Sequence, residues 1–145
     1  MRVLIKKRGA GKTTQMIYTS EATGMPIIVD TYGDKVRLMK KAISMNCSIP
    51  EPMTIVERRH SYNREDIRNG LLIDNAETIC CTAINYYFYK NNLITNNSFH
   101  IIKNVTDIPD NIDLLQDALN YFLEANVVAI TLSSENVFNT KGENK

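Results

Sequence analysis

Residues 2–14 read R-V-L-I-K-K-R-G-A-G-K-T-T, a short apolar strand signal that runs into a glycine-rich turn ending on Lys12, Thr13 and Thr14. Holding a phosphate takes several N–H donors converging on one point, a backbone that can come close, and a cation. Gly9 and Gly11 carry no Cβ, so they admit the turn and the close approach. Lys12 has the reach to meet β- and γ-phosphates, and the Thr13 hydroxyl is of the kind that ligates Mg²⁺. A helix starting near Thr13 points its positive end at the anion. The stretch Arg8, Gly9, Ala10, Gly11, Lys12, Thr13, Thr14 is therefore the expected nucleotide-phosphate cradle. Against the pattern G-x-x-x-x-G-K-S/T, the first position holds Lys6 rather than Gly. Lys7 and Arg8 add positive charge at the loop, although solvated surface charge explains them equally well.

Outward from the loop, apolar runs alternate with helical patterns. A helix is expected over 13–23, stopped by Gly24, and a buried strand over 26–30 ending on Asp30. A second helix is expected from Lys35 to about Met45, with Val36, Leu38, Met39, Ala42 and Ile43 apolar. Residues 53–56 read as a third strand, followed by Arg58, Arg59 and Arg64. A strand over 71–74 then leads into a helix over 76–89, whose Tyr86, Tyr87, Phe88 and Tyr89 read as packing rather than as a base-stacking platform. A minor strand at 99–102, a helix at 112–124 and a last strand at 127–132 complete the order. This alternation implies an α/β three-layer sandwich around a mainly parallel sheet of about five strands. A single domain over 1–134 is expected, with 135–145 a polar, disordered tail. Ligands of such sheets bind at the carboxyl ends of the strands, where the loop, Asp74 and residues 131–134 are expected to meet.

Composition bounds the rest. At 145 residues and a formal net charge of +1, the chain suits one ordinary globular core, with no overall field that demands nucleic acid. No apolar run reaches the length of a membrane span, and Val3–Ile5 is too short for a signal peptide, so a cytoplasmic location is expected. Cys47, Cys80 and Cys81 read as reduced thiols, the last two on a helix near the core. No Cys/His spacing resembles a zinc site, and the N-x-S/T triplets at Asn46, Asn96 and Asn104 carry no weight inside a cell.

Leu71-Leu72-Ile73-Asp74 is an apolar strand ending on a carboxylate, as a Mg²⁺–nucleotide site requires opposite its loop. Asp30 ends a strand in the same way and competes for the role, while helix capping is the plain alternative for both. With the loop, the strand ending at Asp30, L-L-I-D-N-A-E at 71–77 and A-I-T-L-S-S at 129–134, the chain resembles the nucleotide-binding half of helicase-like and related P-loop ATPases. More loosely, it resembles short P-loop proteins encoded by phages of low-GC bacteria, whose setting is the host cytoplasm. The P-loop ATPase resemblance implies Mg²⁺ on Thr13 and Asp74, Lys12 on the phosphates, and a polar γ-phosphate sensor among Thr131, Ser133 and Ser134, for which ordinary strand-end hydroxyls are the plain alternative. In the family's D-E-x-x box the Glu polarises the attacking water, and here Asn75 stands in its place. Asn holds a water but accepts no proton, which implies slow hydrolysis unless Glu77 turns back to take the role.

Three functions follow. The leading one is a small ATP-binding protein with Mg²⁺ as cofactor, either a slow ATPase or a nucleotide-dependent switch. ATP is favoured over GTP because an N-K-x-D-like guanine motif is missing. In a homo-oligomer, Arg58 and Arg59 would be candidate arginine fingers, with exposed loop cations as the plainer reading. The second is a nucleoside or nucleotide kinase, since G-A-G-K-T-T-Q resembles a thymidylate kinase loop. The third is a non-catalytic factor that binds a host protein and keeps a relic nucleotide site.

Overall fold

Short apolar runs become interior strands when both faces of the sheet can be covered, because side chains alternate across the pleat. The computed structural model describes residues 1–60, 65–91 and 112–133, the side chains of residues 65 and 66 excepted. The strands are β1 (Arg2–Lys6), β2 (Ile27–Val29), β3 (Met53–Thr54), β4 (Leu71–Ile73) and β5 (Val127–Ser133). They form one five-stranded sheet in the order β1-β5-β4-β2-β3, and every pairing is parallel. The helices are α1 (Lys12–Thr23), α2 (Tyr32–Ser44), α3 (Ile55–His60), α4 (Glu77–Lys90) and α5 (Ile112–Leu123), with a 3₁₀ turn at Glu65–Asn69. The sequence expectations for Arg64, Asn96, Asn104, Ser134, the strand at 99–102 and the tail at 135–145 fall outside the described residues.

Alternation along the strands divides the core in two. Ile28, Leu71, Ile73 and Ile130 pack with Ile79 and Ala83 of α4 and with Leu115 and Leu119 of α5. Ile27, Val29 and Leu72 turn the other way, onto Met16 and Ile17 of α1 and Leu38 and Ala42 of α2. The protein is thus α/β, with an all-parallel sheet flanked by helices. Cys80 and Cys81 are buried on α4, and neither forms a disulfide. The sheet pinches where β4 begins. The register slips between Leu71 and Leu72, leaving Val128 as an extra residue on β5. Gly70 sits there at φ 120, where a Cβ would run into the Val128 side chain.

Several local expectations are corrected. The third strand stops at Thr54, because Thr54 and Glu57 form a reciprocal cap that starts α3. Glu57 N donates to Thr54 Oγ1 at 3.1 Å, and Thr54 N donates to Glu57 Oε1 at 2.9 Å. Helix α2 starts at Tyr32, earlier than expected, since Thr31 and Asp34 make the same kind of box. Met39 and Ile43 lie on an exposed face of α2, with Ile43 72% exposed. Lys35 turns inward instead, its ammonium 2.9 Å from Glu51 and 3.1 Å from Glu57, which ties α2 to the start of α3. Burial works against that charge, but the bonds and charges of Glu51 and Glu57 outweigh it and raise the Lys35 pKa.

Arg58 and Arg59 are not loop cations. They lie on α3 and hold the carbonyl end of α5. Arg58 Nε donates to Leu123 O at 2.9 Å and Arg58 Nη2 to Glu124 O at 3.1 Å. Arg59 Nη1 donates to Phe122 O at 2.6 Å, and its guanidinium lies over the Phe122 and Tyr86 rings at 4.4 and 4.9 Å. Cations placed on orphan carbonyls stabilise a helix C-terminus. Tyr86 and Tyr87 pack against the core through edge contacts with Phe122 and Tyr121, whereas Tyr89 is exposed. None of the described helices is long and apolar enough to cross a membrane.

Candidate functional site

The site begins where β1 ends. After Lys6 the chain turns back on itself, with Ala10 N donating to Lys7 O at 3.1 Å. Gly9 at φ 81 and Gly11 at φ 88 occupy the left-handed region that glycine enters without a Cβ clash. Gly11 is the N-cap of α1 and brings no capping side chain, and the first turn carries no acidic residue. The positive end of α1 therefore faces the loop uncapped. Lys12 is buried, its ammonium donating to Lys6 O at 3.3 Å and Lys7 O at 3.2 Å. That places a cation inside the ring of the loop. Lys7, Arg8, Gly9 and Ala10 are exposed around it, and Thr14 is half-buried in the first turn of α1.

Thr13 points away from the loop to the tip of β4. Its Oγ1 donates to Asp74 Oδ2 at 2.7 Å. Asp74 is only 4% exposed, and its other oxygen, Oδ1, accepts from Thr131 Oγ1 at 2.7 Å. The same Thr131 hydroxyl accepts from Asn75 N at 2.9 Å, and Thr131 O accepts from Ala76 N at 2.9 Å. Strand β5 lies between β1 and β4, so Thr131 stands where it can brace both the carboxylate and the turn after it. A hydroxyl and a carboxylate are hard oxygen ligands of the kind Mg²⁺ takes, and two protein ligands leave room for phosphate oxygens and water. Among the described residues no group of three or more His, Cys, Asp or Glu gathers for a metal. Asp30, the rival carboxylate at the end of β2, is not the partner of Thr13. Burial first, and the Asp34 charge second, hold its carboxyl above the usual range.

Asn75 is exposed and left-handed at φ 52, a conformation Asn tolerates better than most residues. Glu77 opens α4, and its Oε2 accepts from Ser133 N at the end of β5. The two residues considered for handling water thus flank Asp74, one free to solvent and one tied to the strand end.

A cleft of about 200 Å³ opens beside Thr13, Asp74 and Asn75. Its opposite wall is α2, which contributes Asp34, Arg37 and Lys41. Sequence reasoning singled out none of these three. Their only signal was a pair of cations one helical turn apart, a spacing shared by any solvated helix face. For Thr131 the sequence offers a γ-phosphate sensor or an ordinary strand-end hydroxyl, and its grip on Asp74 has no local signature. Comparison with known families, with curated proteins and with solved structures finds no match.

Proposed function

We propose that the chain is a small P-loop protein that binds ATP with Mg²⁺ and turns it over slowly or uses it as a switch. The hydrogen bond from Thr13 to Asp74 carries this reading. It brings the residue after the loop lysine together with a carboxylate 61 positions away, in the pairing a Mg²⁺–nucleotide site needs. The uncapped start of α1 and the inward ammonium of Lys12 support the phosphate side of the site. In this reading Lys12 would turn from its carbonyl partners to the β- and γ-phosphates, and Thr13 and Asp74 would be the residues that hold the metal. The metal, when bound, screens the phosphate charge. Asn75 orients water without removing its proton, and Glu77 is held by Ser133 N, which keeps turnover slow.

The reading is tested by calorimetry with ATP in the presence and absence of Mg²⁺. Wild-type binding that is insensitive to both Lys12→Ala and Asp74→Asn overturns it. A nucleoside or nucleotide kinase is the second reading, favoured by the open cleft next to Asp74, where an acceptor would stand. Transfer of labelled phosphate to a panel of nucleosides and nucleotides separates the two.

A further inference from the structure

Nothing in the nucleotide reading uses the far wall of the cleft. Arg37 and Lys41 project from α2 one turn apart and line the same space as Thr13 and Asp74. Arg37 is bonded through Nη2 to Asp34 Oδ1, and the Asp34 carboxylate is itself held by the Thr31 cap. That contact fixes one side of a planar guanidinium and leaves further N–H donors for a ligand. Among the described residues the Lys41 ammonium has no ion-pair partner. Val29 and Leu38 give the cleft an apolar floor.

Charge and size narrow the occupant. The Asp34 carboxylate is engaged by Arg37 and the Thr31 cap and the Asp74 carboxylate by two threonine hydroxyls, so the groups left to meet a guest on the α2 wall are cationic. An anion is then the matching guest, and an Arg fork next to a Lys suits a phosphate. A volume of about 200 Å³ is below the roughly 300–1,000 Å³ of pockets that enclose drug-sized ligands, so a phosphate group with a small organic part matches the enclosed space. We infer that this cleft is a second anion site, which takes the phosphate of a small phosphomonoester on Arg37 and Lys41 beside the metal corner. The inference rests on the Mg²⁺–nucleotide reading and names the class of ligand that meets it.

The test is calorimetry with ribose 5-phosphate and, separately, inorganic phosphate, on protein whose loop is filled with Mg²⁺ and a non-hydrolysable ATP analogue. The expected result is saturable binding that weakens about 10-fold or more in the Arg37→Ala/Lys41→Ala double variant, with affinity for the analogue unchanged. Tighter binding of ribose 5-phosphate identifies an ester site, and equal binding identifies a site for free phosphate. No binding of either probe, or equal binding by the double variant, overturns the inference while leaving nucleotide binding intact. If the analogue itself does not bind, the nucleotide reading fails instead. The same probes on nucleotide-free protein then decide the cleft: loss in the double variant but not in Lys12→Ala supports it, and the reverse overturns it.

Discussion

Thr131 Oγ1 donates to Asp74 Oδ1 at 2.7 Å while accepting from Asn75 N at 2.9 Å, so one hydroxyl on β5 holds both the carboxylate and the turn that follows it. Thr131 is fully buried. Thr131→Val leaves an acceptor and a donor without partners and is expected to cost about 1–3 kcal/mol of stability. Urea unfolding measures this, with Thr131→Ser, which keeps the hydroxyl, expected to retain most of it. Equal stability of the Val variant would show that the hydroxyl braces nothing.

Lys12→Ala should weaken ATP binding by roughly 10- to 150-fold, the value of a charge-assisted contact of about 1.5–3 kcal/mol. Among the described residues the ammonium bonds only to the Lys6 and Lys7 carbonyls, so the fold should tolerate the change. Calorimetry on the folded variant checks it, and an unchanged affinity removes the phosphate role of the loop.

Asp74→Asn should abolish the part of ATP affinity that depends on Mg²⁺ and leave metal-free binding nearly intact. The amide can still accept from one hydroxyl, but it lacks the charge a hard cation requires. Titrations with and without chelator give the answer. The same Mg²⁺ dependence in variant and wild type would remove Asp74 from the metal.

Asn75→Glu should speed hydrolysis, since a carboxylate can take the proton that an amide cannot; general bases of this kind contribute about 10²–10⁴-fold. The gain is offset by backbone strain, because the position is left-handed at φ 52 and Glu loses the tolerance of Asn, at about 1 kcal/mol. Steady-state phosphate release and thermal unfolding of the same variant separate the two effects. Fast release by the wild type that disappears in Glu77→Gln would mean that Glu77 leaves Ser133 N and serves as the base.

Glu57 has its pKa lowered, first by the Thr54 N–H that it accepts; burial opposes this next, and the hydrogen bond and charge of Lys35 add to the lowering. A depressed carboxylate stabilises the fold above its unfolded pKa, and that stability is lost as pH falls through the folded value. The wild type should therefore lose stability on acidification from the ordinary Glu range, about 4.3, downward. Glu57→Gln should be less stable at neutral pH and show a flatter profile in that window. Parallel profiles would place the acid sensitivity elsewhere.

Most of the elements were legible because their causes are local. Val3, Ile28 and Leu72 sit in short apolar runs, Gly24 ends α1, and Lys12 follows two glycines whose turn needs a positive φ. The Thr54-x-x-Glu57 box was equally local and still went unread, since Ile55 and Val56 favour a strand and the reciprocal cap overrides that preference. Met39 and Ile43 are apolar positions of α2 that the core leaves exposed. Helical spacing marks which residues share a face, but not which face the sheet will cover.

The sequence by itself determined the alternating α/β order, the glycine turn before α1 and the acidic end of β4, because each depends on neighbours within a few residues. Only the tertiary structure decided that Thr13 reaches Asp74 rather than Asp30, that Arg58 and Arg59 hold α5 from within the chain, and that Arg37 and Lys41 line the same cleft as Thr13 and Asp74. Those outcomes depend on strand order. Placing β5 between β1 and β4 sets which strand tips and helix faces meet, and strand order is fixed by packing between segments far apart in the chain.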